Sequence, residues 1–237
     1  MDLKEIDILG ANINDHWYYK SKANAMIQTL GKIKLVKVLD VGAGSGFFSK
    51  YLLDNLSVQE AWCVDTSYKK NKSEKIKNKS IFFQRTIKKN NADLVLFMDV
   101  LEHVIDDMAL VKDYIKKVNK GTYFLVTVPA FNFLWSEHDE FLGHKRRYSL
   151  GEMENLLIKS GLEIEKSFYF FGLVLPIAAL SRILQKSKTK KTELKSQLTN
   201  HSYITNIFLG SLCKIELFLM KHNRIAGLSI FCLAKKK

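Results

Sequence analysis

Three cysteines in 237 residues are too few and too scattered to staple a fold. Cys63, Cys213 and Cys232 are odd in number and lie in apolar runs, which excludes a disulfide framework and zinc-finger spacing. They read as reduced, buried thiols, and the expected compartment is the cytoplasm. A long apolar run is also missing, since the longest, Phe168 to Leu180, falls short of the roughly 20 residues that cross a bilayer. The opening Met1-Asp2-Leu3-Lys4-Glu5 lacks the basic-then-apolar order of a secretory signal. Acidic residues are scarce too: 24 against 37 Lys and Arg give a net charge of +13. Such an excess suits a polyanion, either nucleic acid or an anionic membrane surface, while lysines scattered over a solvated surface are the plain alternative. What is present, 47% hydrophobic and 26% charged residues, is ordinary globular material, long enough for one large α/β domain.

Strand-like and helix-like segments alternate from about residue 35, which predicts a mostly parallel sheet with helices on both faces. Leu35 to Val41 reads as the first strand, followed by a helix capped by Ser45 with Phe47, Phe48, Tyr51 and Leu52 at helical spacing. Ala61 to Asp65 and Ile81 to Gln84 read as strands two and three, joined by a Lys-rich segment expected to be a solvated helix. Asp93 to Met98 is strand four. A helix opened by Asp106 and Asp107 runs to a stop at Gly121, and Thr122 to Val128 is strand five. Ser149 and Glu152 form a capping box for a helix ended by Gly161. Leu162 to Phe170 and Leu228 to Ala234 are strands six and seven. The fifty or so residues between those two carry an apolar segment (173–184), a Lys-rich linker (186–195) and a long apolar helix (203–220). The expected division is an N-terminal helical lid over 1–34, a core over 35–170 and 225–237, and a helical insertion over 171–224.

The stretch Val38-Leu39-Asp40-Val41-Gly42-Ala43-Gly44-Ser45-Gly46 ends a strand and opens a helix. Glycines there let a ligand touch bare backbone beside the unpaired N–H groups of a helix start. A pyrophosphate-binding loop would place its last glycine at position 47, where Phe47 stands. Asp40 would repel a pyrophosphate and suits a ligand carrying ammonium and sulfonium charges. Asp65, at the end of strand two, is placed to accept hydrogen bonds from ribose hydroxyls.

This loop resembles motif one of class I S-adenosylmethionine-dependent methyltransferases, and Asp93-Leu94-Val95-Leu96-Phe97-Met98-Asp99-Val100-Leu101-Glu102-His103 resembles their strand-four motif. The resemblance implies a Rossmann-like fold with a seven-stranded sheet, strand seven entering antiparallel beside strand six, and S-adenosylmethionine as cofactor. It further implies that Asp40, Gly42, Ala43, Gly44 and Gly46 hold the methionine end and Asp65 the ribose. Thr66 would lie by the adenine, and the backbone at Met98 and Asp99 against the cofactor.

Two segments resemble a narrower group of bacterial methyltransferases linked to envelope lipids and glycans. His16-Trp17-Tyr18-Tyr19-Lys20-Ser21-Lys22 is similar to a His-Trp-Trp-Phe-x-x-Arg-Arg element, in which Tyr19 or Lys22 would sit near the cofactor carboxylate. An amphipathic helix packing its aromatics on the sheet is the alternative. The second runs from Trp135 to Tyr148 as WSEHDEFLGHKRRY, on the carboxyl edge of the sheet. There His138 or His144 would take a proton from the acceptor, with Asp139 fixing the tautomer. Arg146 and Arg147 would bind an acidic group on the acceptor, and Tyr148 completes the substrate set. His103, just past strand four, is a third catalytic candidate. The spacing of His138, Asp139 and His144 is too loose to predict a metal centre.

The expected reaction is in-line methyl transfer to an O or N atom of a small-molecule or lipid- or glycan-linked acceptor. The greasy helix after Tyr203 and the Lys186, Lys188, Lys190 and Lys191 cluster suggest peripheral association with the inner membrane face. A nucleic-acid methyltransferase is the rival reading, weakened because Asp99-Val100-Leu101-Glu102 stands where an Asn- or Asp-Pro-Pro-aromatic loop would be. A non-catalytic binding protein on the same fold is the other.

Overall fold

A computed structural model describes residues 13–186 and 202–237. Helix α1 (Trp17–Leu30) precedes strand β1 (Lys37–Val41), which is followed by α2 (Phe47–Asn55) and β2 (Glu60–Val64). Then come β3 (Lys72–Ile76), β4 (Lys79–Gln84), β5 (Leu94–Met98), α3 (Asp107–Lys117), β6 (Tyr123–Pro129) and α4 (Glu137–Leu142). Helix α5 (Leu150–Lys159), β7 (Leu162–Phe170), α6 (Leu175–Lys186), α7 (Tyr203–Leu219) and β8 (Ser229–Lys236) complete the chain.

The eight strands order as β3-β4-β2-β1-β5-β6-β8-β7, with β3 antiparallel to β4 and β8 antiparallel to both of its neighbours. The parallel centre explains the unbroken apolar runs: Leu94 to Met98 are all buried because helices cover both faces. One core layer lies under α1 and α2 and includes Met26, Leu52 and Phe170; the other lies under α3 and α5 and includes Val111, Phe124 and Leu157.

Three expectations need correcting. Among the described residues the sheet has eight strands, not seven, because the Lys-rich segment expected to be a helix forms β3. Residues 72–76 pair with β4 across the turn at Lys77, which takes a left-handed φ of 56°. Cross-strand partners on a sheet edge there override local helix preference, with Lys72 lying over the Phe83 ring and paired with Glu74 at 2.6 Å. Ser45 does not cap α2; Gly46 occupies that position with φ 71°, and the Ser45 hydroxyl is buried without a partner. Gly121 does not end α3, which stops at Lys117 and gives way to an extended Val118. By contrast the Ser149–Glu152 capping box and the Asp106 cap, bonded to Ala109 N at 2.9 Å, stand as read.

Helices α6 and α7 lie between β7 and β8 in the chain, and α7 packs along α1. Leu209, Cys213, Glu216 and Met220 form its inward stripe at three- and four-residue spacing. Asn206 ties that stripe to α1, accepting from Trp17 N at 2.7 Å and donating to the Asp15 carbonyl at 2.7 Å. Residues 203–222 are long and apolar enough, by length and composition, to cross a membrane, which a search for unbroken apolar runs passes over because Asn206, Lys214 and Glu216 interrupt them. The Lys-rich linker lies outside the described residues apart from Lys186 at the end of α6.

Candidate active site

The carboxyl ends of the parallel strands carry nearly every residue the sequence singled out. The glycine loop leaves β1 with Gly42, Gly44 and Gly46 all at positive φ, a conformation open to glycine at no steric cost. At Gly42 a side chain is also excluded by space, since a Cβ would fall 2.8 Å from a methyl of Val100. Gly44 N donates to Asp65 at 3.0 Å, and the other Asp65 oxygen accepts from Ser67 N and Oγ at 2.9 and 2.6 Å. Asp40 is buried beneath the loop and accepts from Ser49 Oγ at 2.8 Å. Burial pushes its carboxyl up to about 6, against the pull of the Ser49 hydrogen bond. Ala43 is buried, and Thr66 is exposed next to Asp65.

Beside this loop, Asp99 follows β5 in a left-handed conformation, φ 56°, rare for a non-glycine residue. Its main-chain N–H is held by the Thr127 carbonyl at 3.0 Å and its carboxylate by the Thr127 hydroxyl at 3.0 Å. The Lys22 ammonium, fully buried, makes an ion pair with Asp99 and donates to the Tyr18 hydroxyl at 3.1 Å. Burial works against both charges, and their attraction wins, so Asp99 stays below and Lys22 above their ordinary pKa values. Lys22, expected to face the cofactor carboxylate, is thus already neutralised by an acid 77 positions away. Tyr19 packs in the core against Phe47 and Phe48, and the Met98 side chain is buried, with its sulfur 3.9 Å from the Thr127 hydroxyl.

The loop after β6 is built around a buried acid. Asp139 caps α4, and the Arg147 guanidinium grips it with two hydrogen bonds of 2.7 and 2.9 Å while giving a third to the Ala130 carbonyl at 3.0 Å. Burial opposes the Asp139 charge, but His144 and Arg147 hold its carboxyl well below the usual range. Asp107 collects the other pair: Tyr148 donates to it at 2.7 Å and Arg146 at 3.1 Å. The two arginines and Tyr148, expected to face the acceptor, therefore serve the loop itself. Arg147 and Tyr148 are buried doing so, whereas Arg146 stays partly exposed. The reason lies in the fold, which brings Asp107 at the start of α3 beneath this loop.

The histidines divide. His144 Nδ1 lies 2.8 Å from Asp139, the tautomer-fixing contact read from the sequence, and its ring stands edge-on to His103 with centroids 4.7 Å apart. His138, half-buried on α4, stands outside this group. Sequence reasoning gave no role to Glu102, which the structure sets against both rings. One carboxylate oxygen and one nitrogen from each of His103 and His144 all lie within 4.8 Å of one another. The residue is fully buried, neither carboxylate oxygen has a hydrogen-bond partner among the described residues, and burial plus the nearby Asp99 charge push its carboxyl well above the usual range. The Asp99–His103 run was visible as a motif, but nothing in its spacing said that Glu102 would turn inward.

Comparison with known proteins adds to this geometry. A family model described as a methyltransferase domain matches residues 15–167. No curated protein matches the sequence. Among solved structures, Haemonchus contortus phosphoethanolamine N-methyltransferase 2 in complex with S-adenosyl-L-methionine superposes with a TM-score of 0.55 at 19% identity, over 91% of this chain and 52% of that one. The YcgJ protein of Bacillus subtilis gives 0.54 at 15% identity, over 92% and 99% of the two chains. The [4+2]-cyclase SpnF gives 0.55 at 12% identity, over 92% and 81%. Identities this low speak for the fold alone, and SpnF is named as a cyclase, so the structural likeness by itself does not fix a reaction.

Proposed function

From the premise that this chain belongs to the methyltransferase-domain family, an S-adenosylmethionine-dependent group, we propose that it methylates an O or N atom of a small-molecule or lipid- or glycan-linked acceptor. The observation that carries the reading is electrostatic. Asp40 and Asp65 flank the glycine loop with no cationic side chain paired to either among the described residues, an arrangement suited to a cationic, phosphate-free nucleoside. The residues fit that group: small residues at 42–44 set no bulky side chain over the loop, the Ser45 hydroxyl lacks a partner among the described residues, and Asp65 stands half-exposed at the end of β2. Gly42, Ala43, Gly44 and Gly46 would lie along the methionine end with Asp40 beneath it, Asp65 would hold the ribose, and Thr66 would flank the adenine.

The bound cofactor supplies an activated methyl group, so the protein has to align the acceptor, exclude water and accept a proton. His144, its Nδ1 turned to Asp139, keeps Nε2 for that proton, and His103 lies beside it. Helix α1 of the expected lid and helices α6 and α7 of the expected insertion would close the acceptor side; residues 1–12 of that lid and 187–201 of that insertion lie outside the described residues. The exposed apolar residues of α6 and α7, among them Leu180, Ile204, Phe208, Ile215 and Phe218, support a lipid-linked acceptor and contact with the inner membrane face. Membership of the narrower bacterial group rests on the two motifs and on the same surface.

Calorimetric titration with S-adenosylmethionine and with its demethylated product tests the cofactor, and a radiolabelled-methyl screen of fractionated extract tests the acceptor. Absence of binding to either nucleoside sinks the enzymatic reading. Label entering nucleic acid rather than a small or lipid-linked product replaces the acceptor class.

A further inference from the structure

We propose that Glu102, His103 and His144 form a binding site for one divalent transition-metal ion of the zinc type on the acceptor side of the glycine loop. Two imidazoles and one carboxylate are a donor set that zinc accepts, with coordination positions left open. Their ligand atoms lie within 4.8 Å of one another, and tetrahedral donors around zinc sit about 3.4 Å apart, so side-chain rotations of about 1 Å close the set.

Three observations support it independently. Glu102 is fully buried with both carboxylate oxygens lacking a hydrogen-bond partner among the described residues, and ionising it there is strongly unfavourable, which a cation among the donors would remedy. The Asp139 carboxylate lies 2.8 Å from His144 Nδ1; as acceptor it keeps the proton there and leaves Nε2 as the ligand atom, the usual outer partner of a metal-bound histidine. Asp139 is itself locked by Arg147. Finally, the two chain segments are joined by a main-chain hydrogen bond from Lys145 N to the Glu102 carbonyl at 2.7 Å, and His144 is fixed within its own loop by its N–H on the Asp139 carbonyl at 2.9 Å. The donors are therefore held in place by main-chain contacts rather than by loose surface torsions.

The site deepens the methyltransferase reading, on which its role rests: with the ion held by His144 Nε2, open coordination positions would take an oxygen of the acceptor and favour its deprotonated form, the proton leaving to solvent in place of the transfer to His144 that the metal-free site would make. Binding itself is testable without any acceptor. The metal-stripped full-length chain is titrated with Zn²⁺ by calorimetry, and Co²⁺ is added separately to read its visible absorption. We expect one ion per chain, a cobalt spectrum of low-coordinate type, and at least tenfold weaker zinc binding in both Glu102→Gln and His144→Gln. Glu102→Gln replaces a buried carboxyl, held toward its neutral form by burial, with a neutral amide of nearly the same size, so it is expected to fold about as well as the parent. No zinc binding by the parent, or binding unchanged in Glu102→Gln, overturns the site. Titrating the same preparation with S-adenosylmethionine separates the two readings. Nucleoside binding without zinc removes the metal site alone, and zinc without nucleoside removes the methyltransferase reading alone.

Discussion

Among the described residues, acids at the ends of β1 and β2 hydrogen-bond to hydroxyls and main-chain N–H groups, whereas acids around the ends of β5 and β6 mostly meet cations. Asp40 has Ser49, and Asp65 has Gly44 and Ser67; Asp99 has Lys22, Asp107 has Arg146, and Asp139 has Arg147 and His144. On the first side negative charge is left for a ligand to answer. On the second it is answered within the protein, so the same residue types serve as scaffold there. Glu102 breaks the pattern, an acid on the second side with no hydrogen-bond partner for its carboxylate among the described residues. A charge without an internal counterpart is what a binding site retains, and a charge with one is what a scaffold consumes.

If this contrast is right, mutations on the two sides fail differently. The largest effect is expected at Arg147→Met, which strands the buried Asp139 carboxylate and should cost about 3–5 kcal/mol of stability, read as a lower thermal midpoint. Lys22→Met should approach that loss by stranding Asp99, and adding Asp99→Asn should recover part of it. A melting curve unmoved by Arg147→Met would show that this loop is not held by its charges. Asp65→Ala should leave the midpoint nearly unchanged and weaken S-adenosylmethionine binding by about 1–3 kcal/mol, through lost charged hydrogen bonds. The reverse result, lost stability with intact affinity, would place Asp65 in the scaffold.

Asp40 yields a pH signature. Its folded pKa of about 6 lies above the unfolded value near 3.8, so between those limits the folded chain holds a proton that the unfolded chain has released. Stability should therefore fall as pH rises through that window, and Asp40→Asn should flatten the slope. Cofactor affinity should run the other way, rising about tenfold from pH 5 to pH 7 as the carboxylate forms. The smallest effect is expected at Arg146→Ala, whose partly exposed pair with Asp107 should contribute no more than about 1 kcal/mol, checked by the same melting assay.

Left-handed residues mark the same edge. Asp99, Phe131 and Phe171 each follow a strand at positive φ, between 56° and 65°. Such conformations persist only where the surroundings over-determine them. Thr127 secures Asp99, Tyr169 stacks on Phe131 and Tyr18 on Phe171, so the edge that carries the candidate site is also where the backbone is most constrained.

Sequence alone determined the parallel core, the glycine loop and Asp65, because hydrophobic period, strand-end glycines and helix caps act over a few residues and leave a readable trace. It also named His138 or His144 with Asp139, and His103 separately, as candidates, without saying which of them the fold would bring together. Tertiary structure alone decided which charges remain available. That Lys22 answers Asp99, that Arg147 is spent on Asp139, and that the Lys-rich segment becomes β3 against β4 all depend on partners brought together by folding. Burial decided the fate of Glu102 in the same way. The physical reason is range: propensity and capping are local, while the cost of a buried charge is set by whatever the fold packs around it.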